Sequence, residues 1–355
     1  MVMLAEHYDF VIGGDPDRDT IDLAVLDTGA GRVLAHVADT ADGAGYRRML
    51  AWAGEHAAGR RIWALEGTGS FAAGLVVFLV EAGEAVVEVG ALKRARGAKN
   101  DRIDAIRAAR EALSREEHSA PRAGGLREAL RGGVACREGV LLSRTKAINE
   151  LKSLIVVAPE QLRTQLRGRS LAVQLKRVEQ LHASASAPVE QRLSVFSLQS
   201  IAARVRFMST QLAELDPQLL ELIKQHPAGP TLLAEPGVGP VVAAQLLISW
   251  SHHGRVRSDA AFASLAGVAP IEVSSGQRSR HRLNRGGDRA LNRALHTVAI
   301  TRMRCHPETR AYEIRRSAEG KTHRDIRRSV KRALARRLYH RIEAAVRLNQ
   351  LADAA

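Results

Sequence analysis

The chain has 355 residues, which is enough for two or three domains with separate hydrophobic cores. Its formal net charge of +15 favours a polyanionic partner, and nucleic acid is the first candidate. We see no apolar run long enough to span a bilayer, no signal peptide and no paired cysteines, because Cys136 and Cys305 stand alone. We therefore expect a cytoplasmic protein with no membrane, disulfide framework or zinc site.

The first ninety residues combine strand and helix patterns. Apolar runs bounded by glycine and aspartate predict strands over residues 10–15, 21–26, 32–37, 61–66 and 85–89. Helical spacing predicts helices over residues 46–56 and 71–82. Three neighbouring strands followed by alternating helices and strands is the order of a ribonuclease-H-like core.

Four carboxylates occupy chemically suggestive places in this order. Asp15 ends the first strand, Glu66 ends the fourth, and Asp101 and Asp104 lie three apart at the start of a further helix. All four can converge at one sheet edge, where their mutual repulsion would be relieved by Mg²⁺.

The alternative is that these acids are turn residues, strand ends and helix caps. Four nearby carboxylates also compete with Asp15 for the role, namely Asp17, Asp19, Asp22 and Asp27.

The middle of the chain reads as long helices. One covers residues 126–157, and another runs from about Ser194 until Asp216-Pro217, which can cap and restart a further turn. The two interpretations are an arm for self-association and an ordinary helical bundle packed on the same chain.

The C-terminal third begins with Pro236-Gly237-Val238-Gly239-Pro240, which predicts a hairpin between two helices. Gly237 and Gly239 would let free backbone N–H groups hold a phosphate, as in a helix-hairpin-helix element. A plain turn between helices is the alternative.

A second loop, Ser274-Ser275-Gly276, precedes a strongly basic stretch. Serine is usually a turn former, but it can act as a phosphodiester nucleophile where cations surround it. The candidate cations and nucleic-acid contacts are Arg278, Arg280, Arg282, Arg285, Arg289 and Arg293. A basic amphipathic helix is predicted over residues 325–346.

Together these motifs resemble the DEDD transposases of insertion sequence family 110, relatives of the Piv-type DNA invertases. The resemblance covers nearly the whole chain. It rests on Val11–Pro16, Trp63–Ser70 and Lys99–Ala105 in the front half. In the back half it rests on the segments Pro236–Pro240, Gly267–Pro270, Ser274–Gly276 and Arg282–Asp288.

The resemblance implies an α/β plus α architecture with three parts. A RuvC-like DEDD domain over residues 1–120 would bind Mg²⁺ through Asp15, Glu66, Asp101 and Asp104. A helical coiled-coil region over 121–226 would mediate oligomerisation. A mostly helical transposase domain over 227–355 would contain the helix-hairpin-helix-like element and a nucleophilic serine, for which we take Ser275 rather than Ser274.

The resemblance also implies partners. The serine would form a transient 5′-phosphoserine link to DNA, in a site completed by carboxylates of another subunit. A structured bridge RNA would pair with donor and target DNA, and dimers would assemble into a tetramer on the DNA.

We therefore predict an RNA-guided DNA recombinase that moves its own insertion sequence. A metal-only nuclease of the Holliday-junction type would need the carboxylates but not Ser275. A tyrosine recombinase would use Tyr339, and a non-catalytic nucleic-acid-binding derivative would need none of these groups.

Overall fold

The computed structural model describes residues 4–90, 101–116, 118–122, 124–272, 281–282, 284 and 286–353. A five-stranded mixed sheet forms the front of the molecule, in the order β3-β2-β1-β4-β5. Its strands are β1 Phe10–Pro16, β2 Thr20–Asp27, β3 Val33–Thr40, β4 Arg61–Glu66 and β5 Ala85–Val89. The first three strands pair antiparallel, whereas β4 runs parallel to both β1 and β5. All five predicted strands are confirmed, and the last two match to the residue.

Helices cover both faces of this sheet. The helices of this part are α1 Leu4–His7, α2 Gly43–His56, α3 Ala73–Glu81 and α4 Asp101–Leu113. The side chains of α2 and α3 pack with Ile12 and Trp63 on one face, and those of α4 pack with Val11 and Ala64 on the other. Because side chains alternate between the two faces along each strand, the sheet contributes apolar side chains to two separate hydrophobic cores. The α/β plus α prediction agrees with this architecture.

The hairpin arm, residues 125–225, is built on two long helices that run antiparallel. Its helices are α5 Gly125–Val157, α6 Glu160–Leu166, α7 Leu171–Glu179 and α8 Val189–Gln225. The outer part of the arm has its own core, in which Leu151 and Ile155 of α5 meet Leu198 and Val205 of α8.

The predicted helix boundaries in the arm are partly wrong. The second long helix begins at Val189 rather than near Ser194, and it continues without interruption through Pro217. Proline removes one backbone hydrogen bond, at a cost of about 3 kcal/mol inside a helix. Packing against α5 outweighs this cost, since Leu219 is buried and Asp216 accepts a 2.5 Å hydrogen bond from Arg137 Nε.

The rest of the chain is helical apart from one small hairpin. Its helices are α9 Gly229–Leu233, α10 Pro240–Trp250, α11 Asp259–Leu265, α12 Arg289–Cys305, α13 Pro307–Ala318 and α14 His323–Asp353. The short strands β6 Ile271–Glu272 and β7 His281–Arg282 pair antiparallel. The predicted basic helix over 325–346 is confirmed within α14.

Contacts tie the sheet region to the C-terminal region. Glu88 on β5 accepts hydrogen bonds from Arg122 Nε at 3.1 Å and from Arg255 at 3.3 Å. The buried Arg127 at the base of α5 donates from Nε to the Ile248 carbonyl on α10 at 3.3 Å. Leucine and isoleucine side chains from the base of the arm also enter the C-terminal core. The domain boundaries at 120/121 and 226/227 stay a prediction.

No helix within the described ranges is both long and apolar enough to cross a bilayer. Cys136 and Cys305 are exposed and carry free thiols.

Candidate functional site

Asp15 and Glu66 lie at the carboxyl ends of two neighbouring parallel strands, Asp15 as the penultimate residue of β1 and Glu66 as the last residue of β4. The β1–β4 ladder pairs Gly14 with Leu65, so the next step along the two strands sets Asp15 beside Glu66. Both residues are half-buried. Strand alternation puts them on the face covered by α4, because Ala64 packs in the core that α4 forms with the sheet. The structure thus brings two of the four predicted acids together at the carboxyl ends of β1 and β4, and their role stays a prediction.

Gly13 explains how α4 reaches this edge. A Cβ atom at Gly13 would lie 2.1 Å from the Ala105 carbonyl oxygen and 2.5 Å from the Ala109 nitrogen. Only glycine therefore allows the helix to lie directly on β1 at this position. Asp101 and Asp104 belong to the first turn of this helix, on the same face of the sheet as Asp15.

The structure describes the side chains of only three of the four predicted carboxylates. Asp104 Oδ1 accepts a 2.6 Å hydrogen bond from Arg107 one turn along its own helix. The side chain of Asp101 lies outside the described residues. Among the described side chains, no three metal-ligating residues come close enough together to hold one ion. The donor chemistry nevertheless fits Mg²⁺, since carboxylate oxygens from neighbouring elements are its preferred protein ligands.

The turn after Glu66 is tightly held. Gly67 has a φ of +63°, a conformation that suits glycine. Thr68 is buried, and its hydroxyl accepts a 3.1 Å hydrogen bond from the Arg122 backbone N–H. A Cβ atom at Gly69 would lie 2.6 Å from Arg122 Cδ. The Gly-Thr-Gly sequence thus fixes the end of β4 beneath the segment that leads into the arm.

The predicted glycine hairpin joins α9 to α10. Gly237 has a φ of +81° and packs against α12, because its Cβ position lies 3.4 Å from Val298 O and from Thr301. Gly239 is the exposed residue that precedes α10, and nothing approaches its Cβ position within 4 Å. Of the two glycines, Gly239 is therefore the more accessible to a phosphate group.

The sequence patterns did not predict a buried carboxylate that lies beneath this hairpin. Glu235 accepts hydrogen bonds from Arg302 at 2.6 Å, from Arg337 Nε at 3.0 Å and from Arg341 Nε at 3.1 Å. Burial tends to raise the pKa of this carboxyl group, but the arginine hydrogen bonds and charges outweigh burial and hold the pKa below its usual value. No local pattern predicts this site, since its arginines come from α12 and α14.

The serine loop connects β6 to β7. Ile271 pairs with Arg282 and Glu272 pairs with His281, so residues 273–280 link the two strands. Ser275 therefore belongs to the connection of a small hairpin, but it lies outside the described residues. The same is true of the predicted contacts Arg278, Arg280 and Arg285 and of the Arg282 side chain.

The two remaining predicted arginines lie on α12. Arg289 is exposed in the first turn. Arg293 is exposed too, and it forms a 2.7 Å ion pair with Glu138 on α5. This ion pair links Arg293 to the arm. A role for Arg289 and Arg293 in nucleic-acid binding stays a prediction.

Tyr339 does not resemble a nucleophile. Its side chain is buried, and its hydroxyl donates a 2.9 Å hydrogen bond to the Val256 carbonyl. Burial also raises the pKa of the hydroxyl, which disfavours the phenolate. Tyr339 is a core residue of the C-terminal helices.

Two protein families match the chain. The family described as a transposase of the IS110 DEDD type matches residues 12–158, and the family described as the transposase IS116/IS110/IS902 family matches residues 230–314. Together these matches cover about two thirds of the chain.

Two relatives come from bacterial insertion elements. The chain is 37% identical over 125 residues to the insertion element IS110 uncharacterized 43.6 kDa protein of Streptomyces coelicolor, which covers 35% of this chain and 31% of the relative. It is 25% identical over 367 residues to the insertion element IS900 uncharacterized 42 kDa protein of Mycobacterium paratuberculosis, covering 90% of this chain and 88% of that protein. The chain therefore belongs to the IS110 family of transposases, which are DNA-recombining enzymes.

Proposed function

We propose that the chain is an RNA-guided recombinase that moves its insertion sequence by exchanging strands between donor and target DNA. The observation that supports this most is the juxtaposition of Asp15 and Glu66 at the ends of β1 and β4, on the face covered by α4. The strand order, an antiparallel meander extended by two parallel strands, supports a RuvC-like (ribonuclease-H-like) domain around this edge.

The carboxylates Asp15, Glu66, Asp101 and Asp104 would hold Mg²⁺. When bound, the ion would supply positive charge that stabilises the oxygens of the phosphate group whose phosphorus is attacked. The chain itself contributes rigidity, because two of the carboxylates are fixed by adjacent strands and Gly13 holds α4 against the same face.

Ser275 would carry the DNA during exchange. Its Oγ attacks a phosphorus atom, the bond from phosphorus to the 3′-oxygen breaks, and the serine proton passes to that oxygen. The product is a 5′-phosphoserine ester and a free 3′-hydroxyl. The 3′-hydroxyl of the second DNA then attacks the same phosphorus, and Oγ leaves and regains a proton. The number of phosphodiester bonds is unchanged, so the exchange needs no nucleotide cofactor.

A structured bridge RNA would select the donor and target sequences. The net charge of +15 supports a protein that binds several nucleic-acid strands at once. The exposed arginines of α14 supply part of this charge, and Arg328 and Arg336 do so near the base of the β6–β7 hairpin.

The hairpin arm would join two copies of the chain. Its surface exposes large apolar side chains, including Leu142 at 65%, Phe207 at 66% and Phe196 at 68%. The grooves beside Leu142 and Phe207 share Lys146 and Glu150, so the two grooves adjoin on the arm. Apolar side chains exposed to this degree favour association, and a second copy would supply a matching surface.

The proposal is tested by a strand-exchange assay between two plasmids. One plasmid contains the joined element ends and the other contains a target site, and the new junction is amplified and sequenced. The protein is supplied with RNA transcribed from the element flank and with Mg²⁺. We expect the junction to form only when both RNA and Mg²⁺ are present.

Two results would contradict the proposal in different ways. Equal junction yield without RNA would remove the guide RNA from the mechanism. Tight RNA binding with no Mg²⁺-dependent cleavage or exchange would identify a non-catalytic nucleic-acid-binding derivative.

A further inference from the structure

A cavity of about 570 Å³ lies between α14 and the base of the β6–β7 hairpin. Gly267–Pro270, which leads into β6, forms one wall, and Asn284, which follows β7, lies beside it. Both ends of the segment that contains Ser275 therefore border the same cavity. The α14 side of the cavity is lined by Asp325, Arg328, Ser329, Lys331, Arg332, Ala333 and Arg336.

Close backbone packing shapes the base of this hairpin. Gly267 has a φ of +63°, and its Cβ position would lie 2.7 Å from the Gly286 carbonyl oxygen. Gly287 has a φ of +94°, and its Cβ position would lie 2.4 Å from the Leu265 carbonyl oxygen. The two segments that enter and leave the hairpin are thus held against each other, which gives the cavity a defined wall.

Lys331 is fixed on the opposite wall. Its Nζ donates a 2.6 Å hydrogen bond to Asn292 Oδ1, and Asn292 Nδ2 donates a 2.6 Å hydrogen bond to the Ala266 carbonyl. The lysine is half-buried. Burial, together with the positive charges of Arg289 and Arg327, lowers the pKa of its amino group.

The charge in the cavity is not balanced. Arg336 pairs with Asp259 at 2.9 Å and Arg328 pairs with Asp325 at 3.3 Å. Among the described residues, Lys331 has no carboxylate within ion-pairing distance, and its Nζ donates its hydrogen bond to the neutral Asn292. A half-buried ammonium group among other cations is stabilised by an anion, and a phosphate oxygen suits it.

We propose that this cavity binds a backbone phosphate of the DNA strand on which Ser275 acts, with Lys331 and Arg328 as the direct contacts. This inference rests on the proposed function. It favours DNA over RNA because both ends of the segment that contains the proposed nucleophile border the cavity. The bound phosphate would set the position of that strand relative to the hairpin.

The test uses the full chain and a fluorescently labelled DNA duplex containing an element end. Affinity is measured over a series of salt concentrations for the parent, Lys331→Met and Arg328→Met. Loss of one phosphate contact should weaken binding about 3- to 10-fold and reduce the slope of log Kd against log salt by about one. The matched control is Arg347→Met, an exposed arginine on the same helix outside the cavity, which should change the affinity less than about 2-fold.

Two further measurements separate phosphate binding from support of the hairpin. Lys331→Arg keeps the positive charge and should restore most of the affinity that Lys331→Met loses. In the parent protein, DNA should protect Lys331 from acetylation, as followed by mass spectrometry. Unchanged acetylation of Lys331 in the DNA complex would overturn the inference.

The outcomes also distinguish the inference from the proposed function. A parent protein that does not bind the duplex would contradict both. If the parent, Lys331→Met and Arg328→Met bound the duplex equally tightly, the proposed phosphate site in the cavity would be wrong, and the proposed function would not be affected. If both substitutions weakened binding of the element-flank RNA and left duplex affinity unchanged, the cavity would belong to RNA, and the assignment to DNA would be wrong.

Discussion

Asp22 on β2 lies directly opposite Asp15 on β1, and Asp22 Oδ1 accepts a 3.0 Å hydrogen bond from His36 Nε2. Ala24, two residues along β2, packs in the α4 core, so Asp22 faces the same side of the sheet as Asp15 and Glu66. The sequence left Asp22 as a competitor of Asp15. His36 gives Asp22 a structural partner within the sheet, whereas the metal-binding role of Asp15 stays a prediction.

The first prediction compares these two aspartates. Asp15→Asn should reduce Mg²⁺-dependent DNA cleavage more than about 100-fold, because it removes a charged ligand at the centre of the proposed site. Asp22→Asn should reduce it less than about 10-fold, because an amide can still pair with His36. Cleavage of labelled element-end DNA measures both. A larger loss for Asp22→Asn than for Asp15→Asn would reverse the assignment.

The second prediction concerns the contact between β1 and α4. Gly13→Ala should lower the free energy of unfolding by about 1–3 kcal/mol, because the new methyl group would overlap the backbone of α4. Urea denaturation followed by circular dichroism gives this value. Gly139→Ala is the control, since Gly139 is exposed within α5 with nothing near its Cβ position. It should stabilise the protein by about 0.5–1 kcal/mol. Equal stability of Gly13→Ala and the parent would contradict the close packing.

The third prediction concerns the buried carboxylate under the glycine hairpin. Glu235→Gln should lower the free energy of unfolding at pH 7 by at least about 2 kcal/mol, because the three arginine side chains lose their common charged acceptor. Urea denaturation again provides the measurement.

The pH dependence of this difference gives a sharper check. The pKa of Glu235 is lowered in the folded chain, so its contribution is complete above the usual carboxyl value of about 4.3 and is lost as the pH falls through the folded value. The stability gap between the parent and Glu235→Gln should therefore narrow between pH 5 and pH 3. A stability difference that stays constant over this range would show that the charge of Glu235 does not contribute to the difference.

The fourth prediction concerns the arm. Replacing Leu142 and Phe207 together by glutamine should convert a self-associated protein to a monomer, or raise its dissociation constant at least about 10-fold, because both side chains are exposed and apolar. Light scattering after gel filtration measures the mass. Ile314→Gln is a matched control, since Ile314 is equally exposed but lies on α13. An unchanged mass in the double variant would place the contact between copies elsewhere.

Local patterns predicted much of the fold. The strands β4 and β5 match to the residue because each is a short apolar run bounded by glycine or charged residues. The same patterns led to an error at Pro217, where a breaker lies inside a continuous helix. The helix persists because its stability comes from packing on α5, and sequence periodicity does not report that packing.

In the candidate site, too, local sequence predicted some features and could not predict others. The position of Asp15 and Glu66 at the carboxyl ends of two strands could be predicted from the sequence, because each follows a short apolar run. Three contacts could not be predicted in this way: those of the arginines with Glu235, of His36 with Asp22 and of Lys331 with Asn292. Each of these contacts joins elements that are distant in the chain, and only the tertiary fold determines which side chains meet.

The proposed covalent link between Ser275 and DNA can be observed directly on a denaturing gel. Protein, labelled element-end DNA, flank RNA and Mg²⁺ are mixed, with Ser275→Ala, Asp101→Ala and the neighbouring control Ser274→Ala alongside the parent. We expect a protein–DNA adduct with the parent and with Ser274→Ala, and none with Ser275→Ala or Asp101→Ala. Cleavage without an adduct, unaffected by Ser275→Ala, would contradict the proposed link and identify a metal-dependent nuclease.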